Sequence, residues 1–73
     1  MTITEKINKL IDNHILNYIY HPNRIIIDIL NLEKLRKELG IKEYASLTEY
    51  RGCKVFMSFE NDTIEVYKKE MFK

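Results

Sequence analysis

Apolar residues recur at Ile3, Ile7, Leu10, Ile11, Ile15 and Ile19, with His14 and Tyr18 on the same side. That is the i, i+3, i+4, i+7 spacing of a helix with one buried stripe. Lys6, Lys9, Asp12, Asn13 and Asn17 occupy much of the remaining surface, where Leu16 breaks the polar face. Thr2-Ile3-Thr4-Glu5 has the form of a capping box, in which the Thr2 hydroxyl accepts from the Glu5 amide and the Glu5 carboxylate reaches back to the Thr2 amide. Pro22 disfavours helical geometry at His21, so the helix is expected to stop near Tyr20.

The period changes at Arg24-Ile25-Ile26-Ile27-Asp28-Ile29-Leu30. A short run this rich in β-branched residues, punctuated by Pro22-Asn23 before it and Asn31 after it, reads as a strand buried on both faces. The amphipathic segments on either side would supply the covers. Asn31 is a suitable N-cap for a second helix ending at Leu39, with Leu32, Leu35 and Leu39 on one face and Glu33 and Lys37 paired on another. Gly40 stands where a Schellman ending needs a positive φ, and Ile41 can make its hydrophobic contact.

Residues 41–51 carry no clear period: Tyr44, Ala45 and Leu47 fit a helical turn, while Leu47 to Tyr50 fit the start of a strand, with Gly52 a bulge or turn. From Cys53 the alternation of a strand sets in, passes the turn-rich Glu60-Asn61-Asp62-Thr63, and resumes to Tyr67. This predicts a C-terminal β-hairpin. Met71 and Phe72 either fray or fold back onto apolar surface. The order α-β-α-β-β therefore predicts an α+β (mixed α/β) fold, a small mixed three-stranded sheet covered by two helices.

Length adds that residues 1–73, 8.8 kDa, form a single compact α/β domain with a small core. One cysteine, Cys53, leaves no internal disulfide, and without a signal-like N-terminus it points to a cytoplasmic protein. No apolar run approaches the ~18 residues of a membrane span. A net charge of +1, from 12 basic and 11 acidic residues, gives no global attraction to nucleic acid or to an anionic membrane. It also permits self-association, and a homodimer is expected through the first helix or the open edge of the last strand.

Candidate chemistry is sparse. Cys53 with His14 or His21 could be imagined as a nucleophile pair, but nothing around Gly52-Cys53-Lys54 matches a nucleophile motif. Cys53 reads as a core residue, His14 as a packed histidine at the core edge and His21 as a solvent-facing turn residue. No CxxC, HExxH or calcium-loop spacing occurs, so no metal and no cofactor is expected, and the chain reads as a non-enzyme. Asp28 is expected at an exposed strand end or paired, because an unpaired acid in an isoleucine run is costly.

Two surfaces compete as binding sites. Lys34, Arg36 and Lys37, with Arg51 and Lys54, form a candidate nucleic-acid patch beside Tyr44 and Tyr50, although Glu33, Glu38, Glu43 and Glu49 are interspersed. Tyr18, Tyr20, Tyr44, Tyr50 and Tyr67 exceed what so small a core uses, and tyrosine favours protein interfaces. Tyr44, Tyr50 and Arg51 lie in the segment with no assigned core role and are the candidate protein-binding anchors.

Pro22-Asn23-Arg24-Ile25-Ile26, then Leu35 and Leu39-Gly40, then Tyr50-Arg51-Gly52-Cys53-Lys54-Val55 resemble small accessory proteins of phages and prophages. The resemblance implies a leading helix, a strand after Pro-Asn, a helix and a Tyr-x-Gly-x-x-Val strand, and it carries no catalytic residues. It implies a phage-type, anti-CRISPR-like inhibitor that binds a host protein or ribonucleoprotein in the host cytoplasm. The alternatives are a nucleic-acid-binding regulator and a small virion component.

Overall fold

The capping box forms as written. The Thr2 hydroxyl accepts from the Glu5 amide at 3.1 Å, and a Glu5 oxygen accepts from the Thr2 amide at 2.9 Å. From there helix α1 runs Ile3–Tyr18 in a computed structural model that describes residues 2–42 and 46–69. Its buried side is Ile3, Ile7, Ile11 and His14. Ile19, expected to extend this stripe, instead closes the helix in the left-handed conformation, φ 62°, and is 90% exposed.

Strand β1, Arg24–Asp28, is shorter than its apolar run, because Ile29 and Leu30 open helix α2, Ile29–Glu38. The N-cap is Asp28 and not Asn31: an Asp28 oxygen accepts from the Asn31 amide at 3.4 Å, and the other accepts from the Asn31 side chain at 2.6 Å. A carboxylate satisfies orphan helix amides at least as well as an amide side chain does. The far end of α2 is a Schellman turn, with Gly40 at φ 74°, its amide donating to Lys37 and the Ile41 amide donating to Arg36.

Three short strands follow, β2 (Glu49–Tyr50), β3 (Cys53–Ser58) and β4 (Ile64–Tyr67). The sheet has four strands in the order β2-β3-β1-β4, not three. β1 runs parallel to β3 and antiparallel to β4, so the expected C-terminal hairpin is absent: β1 lies between the two strands that were to form it. The tight hairpin sits one element earlier. Tyr50 pairs with Cys53 across Arg51 and Gly52, whose φ values of 50° and 79° fit a two-residue primed turn.

Both helices pack on one face of this sheet. Ile25, Ile27 and Cys53 meet Ile3, Ile7, Ile11 and Leu35 in a single core, with Val55, Ile64 and Val66 at its margin. β1 is therefore fully covered on one side only. Alternation places Arg24, Ile26, Lys54, Phe56, Glu65 and Tyr67 on the opposite face, where Arg24 and Ile26 are half-buried and Phe56 is exposed.

Candidate functional site

The residues singled out from the sequence do not form one surface. Tyr50 is half-buried against the core, and its hydroxyl donates to the Asn8 side chain at 2.8 Å. Arg51 donates to the same oxygen at 3.1 Å and pairs with Asp12 at 3.4 Å. These two side chains fasten the β2–β3 turn to the flank of α1. Tyr44 lies outside the described residues, as do Met71 and Phe72.

The basic set is divided as well. Arg36 pairs with Glu33 at 3.2 Å and donates to the Lys42 carbonyl at 2.8 Å. Lys34 borders a groove of about 460 Å³ in which Lys6 and Asp62 also stand, beside Ile3, Leu10 and Ile64. Lys37 is exposed on α2, and Lys54 projects from the helix-free face of the sheet. No concentrated basic footprint results.

Cys53 is fully buried and its thiol donates to the Pro22 carbonyl at 3.2 Å. Burial pushes that thiol above its ordinary pKa, against the pull of Arg51. The histidines are engaged elsewhere: His14 Nδ1 lies 3.3 Å from the Tyr20 carbonyl, and His21 Nδ1 2.6 Å from that of Pro22. Among the described residues no group of three or more His, Cys, Asp or Glu is arranged to hold a metal ion. No helix among them is long and apolar enough to cross a membrane.

Three carboxylates have structural duties. Burial pushes Asp28 up, but hydrogen bonds from Asn31 together with those of the Asp28 and Thr63 backbone hold the group below its ordinary pKa. Glu38 is lowered by bonds from Thr4 and the Ile3 amide, and Glu5 by bonds from Thr2. Glu38 thereby ties the end of α2 to the start of α1: its two oxygens accept from the Ile3 amide at 3.0 Å and the Thr4 amide at 2.7 Å.

Sequence reasoning named Leu16 and Tyr20, off the main stripe of the first helix, as dimer contacts, but missed that Ile19 ends the helix. Leu16 is 79% exposed, and Tyr18, Ile19 and Tyr20 follow it at the surface. His14 underlies the two tyrosines, with ring centroids 4.7 Å from Tyr18 and 5.3 Å from Tyr20. The two tyrosine rings are 5.9 Å apart, and the Lys68 ammonium sits 4.7 Å from the Tyr20 centroid. The signal available was Leu16, off the buried stripe, and the lack of a Gly or Asn where the helix must stop before Pro22.

Other apolar side chains gather where β1 and β3 end. Asp28 pairs with Ser58, so exposed Ile29, Leu30 and Phe59 follow directly from neighbouring strand ends. None of those three has a positive φ. Comparison with protein-family models, curated proteins and solved structures gives no match.

Proposed function

We propose that this chain is a cytoplasmic, non-catalytic protein-binding domain whose contact surface is the turn closing α1, formed by Leu16, Tyr18, Ile19 and Tyr20. The observation that carries it is Ile19. A β-branched residue at φ 62° is strained by about 1–2 kcal/mol, and its apolar side chain stands 90% in solvent. Glycine or asparagine would close the helix at lower cost. A position that opposes both backbone preference and burial serves something other than the fold, and exposed aliphatic and tyrosine side chains together suit a protein partner.

The form of this function that the phage-type resemblance implies is inhibition by occupancy. The chain would cover a site on a host protein or ribonucleoprotein stoichiometrically, without turnover. Ile19→Gly tests the reading, since it relieves the backbone and removes the side chain together. Capture of the host target is expected to fall about tenfold or more, as for a hot-spot residue, while the melting temperature rises. Unchanged capture by the Ile19→Gly protein would overturn it.

A second reading, a nucleic-acid-binding regulator, is favoured by the helix-free face of the sheet. Arg24 lies 5.3 Å over the Phe56 ring there, beside Lys54, with Tyr67 on the same face. Basic and aromatic side chains on one surface can follow a phosphate backbone and stack bases. RNA or DNA binding that weakens steeply with salt, and is abolished by Lys54→Glu, would choose this reading over the first.

A further inference from the structure

β4 is an edge strand, paired on one side with β1 and bare on the other among the described residues. Its hydrogen-bonding polarity can be fixed. The carbonyls of Thr63 and Tyr67 accept from β1 or the residue before it, and both backbone groups of Lys69 bond the Asn23 side chain. Odd-numbered residues of this stretch therefore turn inward. By strand alternation, the amides and carbonyls of Ile64, Val66 and Lys68 point away from the sheet.

We propose that this edge pairs with the same edge of a second copy, antiparallel about a two-fold axis at Val66, joining two sheets into one. The outward groups select the register. With the axis at Val66, Val66 faces its own copy and Ile64 faces Lys68 of the other molecule, in hydrogen-bonded pairs that exchange about six bonds. Shifting the axis one residue either way loses a pair of these bonds among the described residues. A shift to Glu65 also sets two carboxylates directly opposite each other, which is destabilising.

Charge complementarity argues for a second copy as the occupant. In the Val66 register Glu65 lies opposite Tyr67 of the other molecule and diagonal both to its Lys69 and to its Glu65, so the two symmetry-related Glu65–Lys69 attractions outnumber the one Glu65–Glu65 repulsion. The net charge of +1 opposes self-pairing very little. α1 packs over β4, so two α1 helices come to lie on the same side of the joined sheet. The outer end of this edge adjoins the turn at Ile19, where the Lys68 ammonium sits 4.7 Å from the Tyr20 ring centroid.

Sedimentation of the full chain from about 10 µM to about 1 mM tests the proposal, over the range in which a small interface dissociates. The mass is expected to rise from 8.8 kDa toward twice that value. Glu65→Lys and Lys69→Glu should each weaken the dimer roughly threefold to thirtyfold, since each disturbs two symmetry-related cross-strand pairs. The double variant should restore it. In the wild-type chain, hydrogen exchange at the Ile64, Val66 and Lys68 amides should slow as concentration rises. A mass of 8.8 kDa throughout overturns the proposal. So does a dimer in which those three amides stay unprotected and both charge reversals are without effect.

Discussion

The two ends of α1 are built to opposite standards. At the N-terminus every amide from Thr2 to Glu5 has a side-chain acceptor, supplied by Thr2, by Glu5 and, from the end of α2, by Glu38. At the C-terminus no basic residue faces the helix dipole, and an isoleucine holds the left-handed position. Leu16, Ile19 and the tyrosines are left in solvent there. A chain that satisfies one helix end so completely has the means to satisfy the other. Where local preference and burial agree, the residues serve the fold; at Ile19 both are opposed, although its amide still donates to the Ile15 carbonyl at 2.8 Å.

The strongest way to break this contrast is to remove what both ends share. Ile7 is fully buried in the middle of α1, and Ile7→Ala is expected to cost about 2–5 kcal/mol. Urea titration should then show the two ends lost together in one transition. Cys53→Ser acts next to the C-terminal end, through the thiol that holds the Pro22 carbonyl. A loss of about 1–2 kcal/mol is expected, with target binding unchanged in the folded protein.

The N-terminal end of α1, together with the start of α2 at Asp28, can be tested through pH. Glu5, Asp28 and Glu38 are all held below their ordinary pKa values in the folded chain. Unfolding releases them, so the unfolded chain takes up protons first as the solution is acidified. Stability is therefore full above about pH 5 and falls as pH drops through the folded-state values. Glu38→Gln should lower the melting temperature at neutral pH and make its decline in acid shallower. An unchanged acid profile would show that the bonds to Ile3 and Thr4 carry no weight.

The C-terminal end responds in the reverse sense. Ile19→Gly should raise stability by about 1 kcal/mol, read as a higher urea midpoint. The smallest effect belongs to Leu16→Asn, within about 0.5 kcal/mol, because that side chain has little to lose on the surface. If either change destabilises the chain by more than this, the exposed turn is part of the core after all.

Much of the fold could be read from the sequence because its signals are local. The capping box at Thr2 and the glycine ending at Gly40 sit within a few residues of what they control. The strand order could not be read this way. Residues between Ser58 and Ile64 look the same whether the strands they join are neighbours or straddle a third, and only the core decides that β1 is inserted. The β2–β3 turn was disguised by Arg51, since a primed turn usually announces itself with Asn or Asp before glycine. Asp28 was read as a paired acid, but the helix it starts was placed three residues late, because Ile29 and Leu30 continue the apolar run without a break. At the candidate site, Tyr50 and Arg51 were set apart from the core, but Tyr50 lies in β2 and packs on it, and the partners of the two residues, Asn8 and Asp12, lie 42 and 39 residues away. Ile19 was hidden because helical spacing extends through a residue that has already left the helix.

The central position of β1 also sets how the chain must fold. Its neighbours on both sides are distant: the contact between Asn23 and Lys69 spans 46 residues, while the β2–β3 hairpin closes over two. An emerging or refolding chain can form α1 and that hairpin early, since both need only local contacts. The isoleucine-rich strand, by contrast, keeps at least one edge unpaired until β3 and β4 have both arrived. Closing loops of that length before any reward makes sheet assembly the slow step. During that interval Ile25, Ile26 and Ile27 are the segment most exposed to misassociation with other chains.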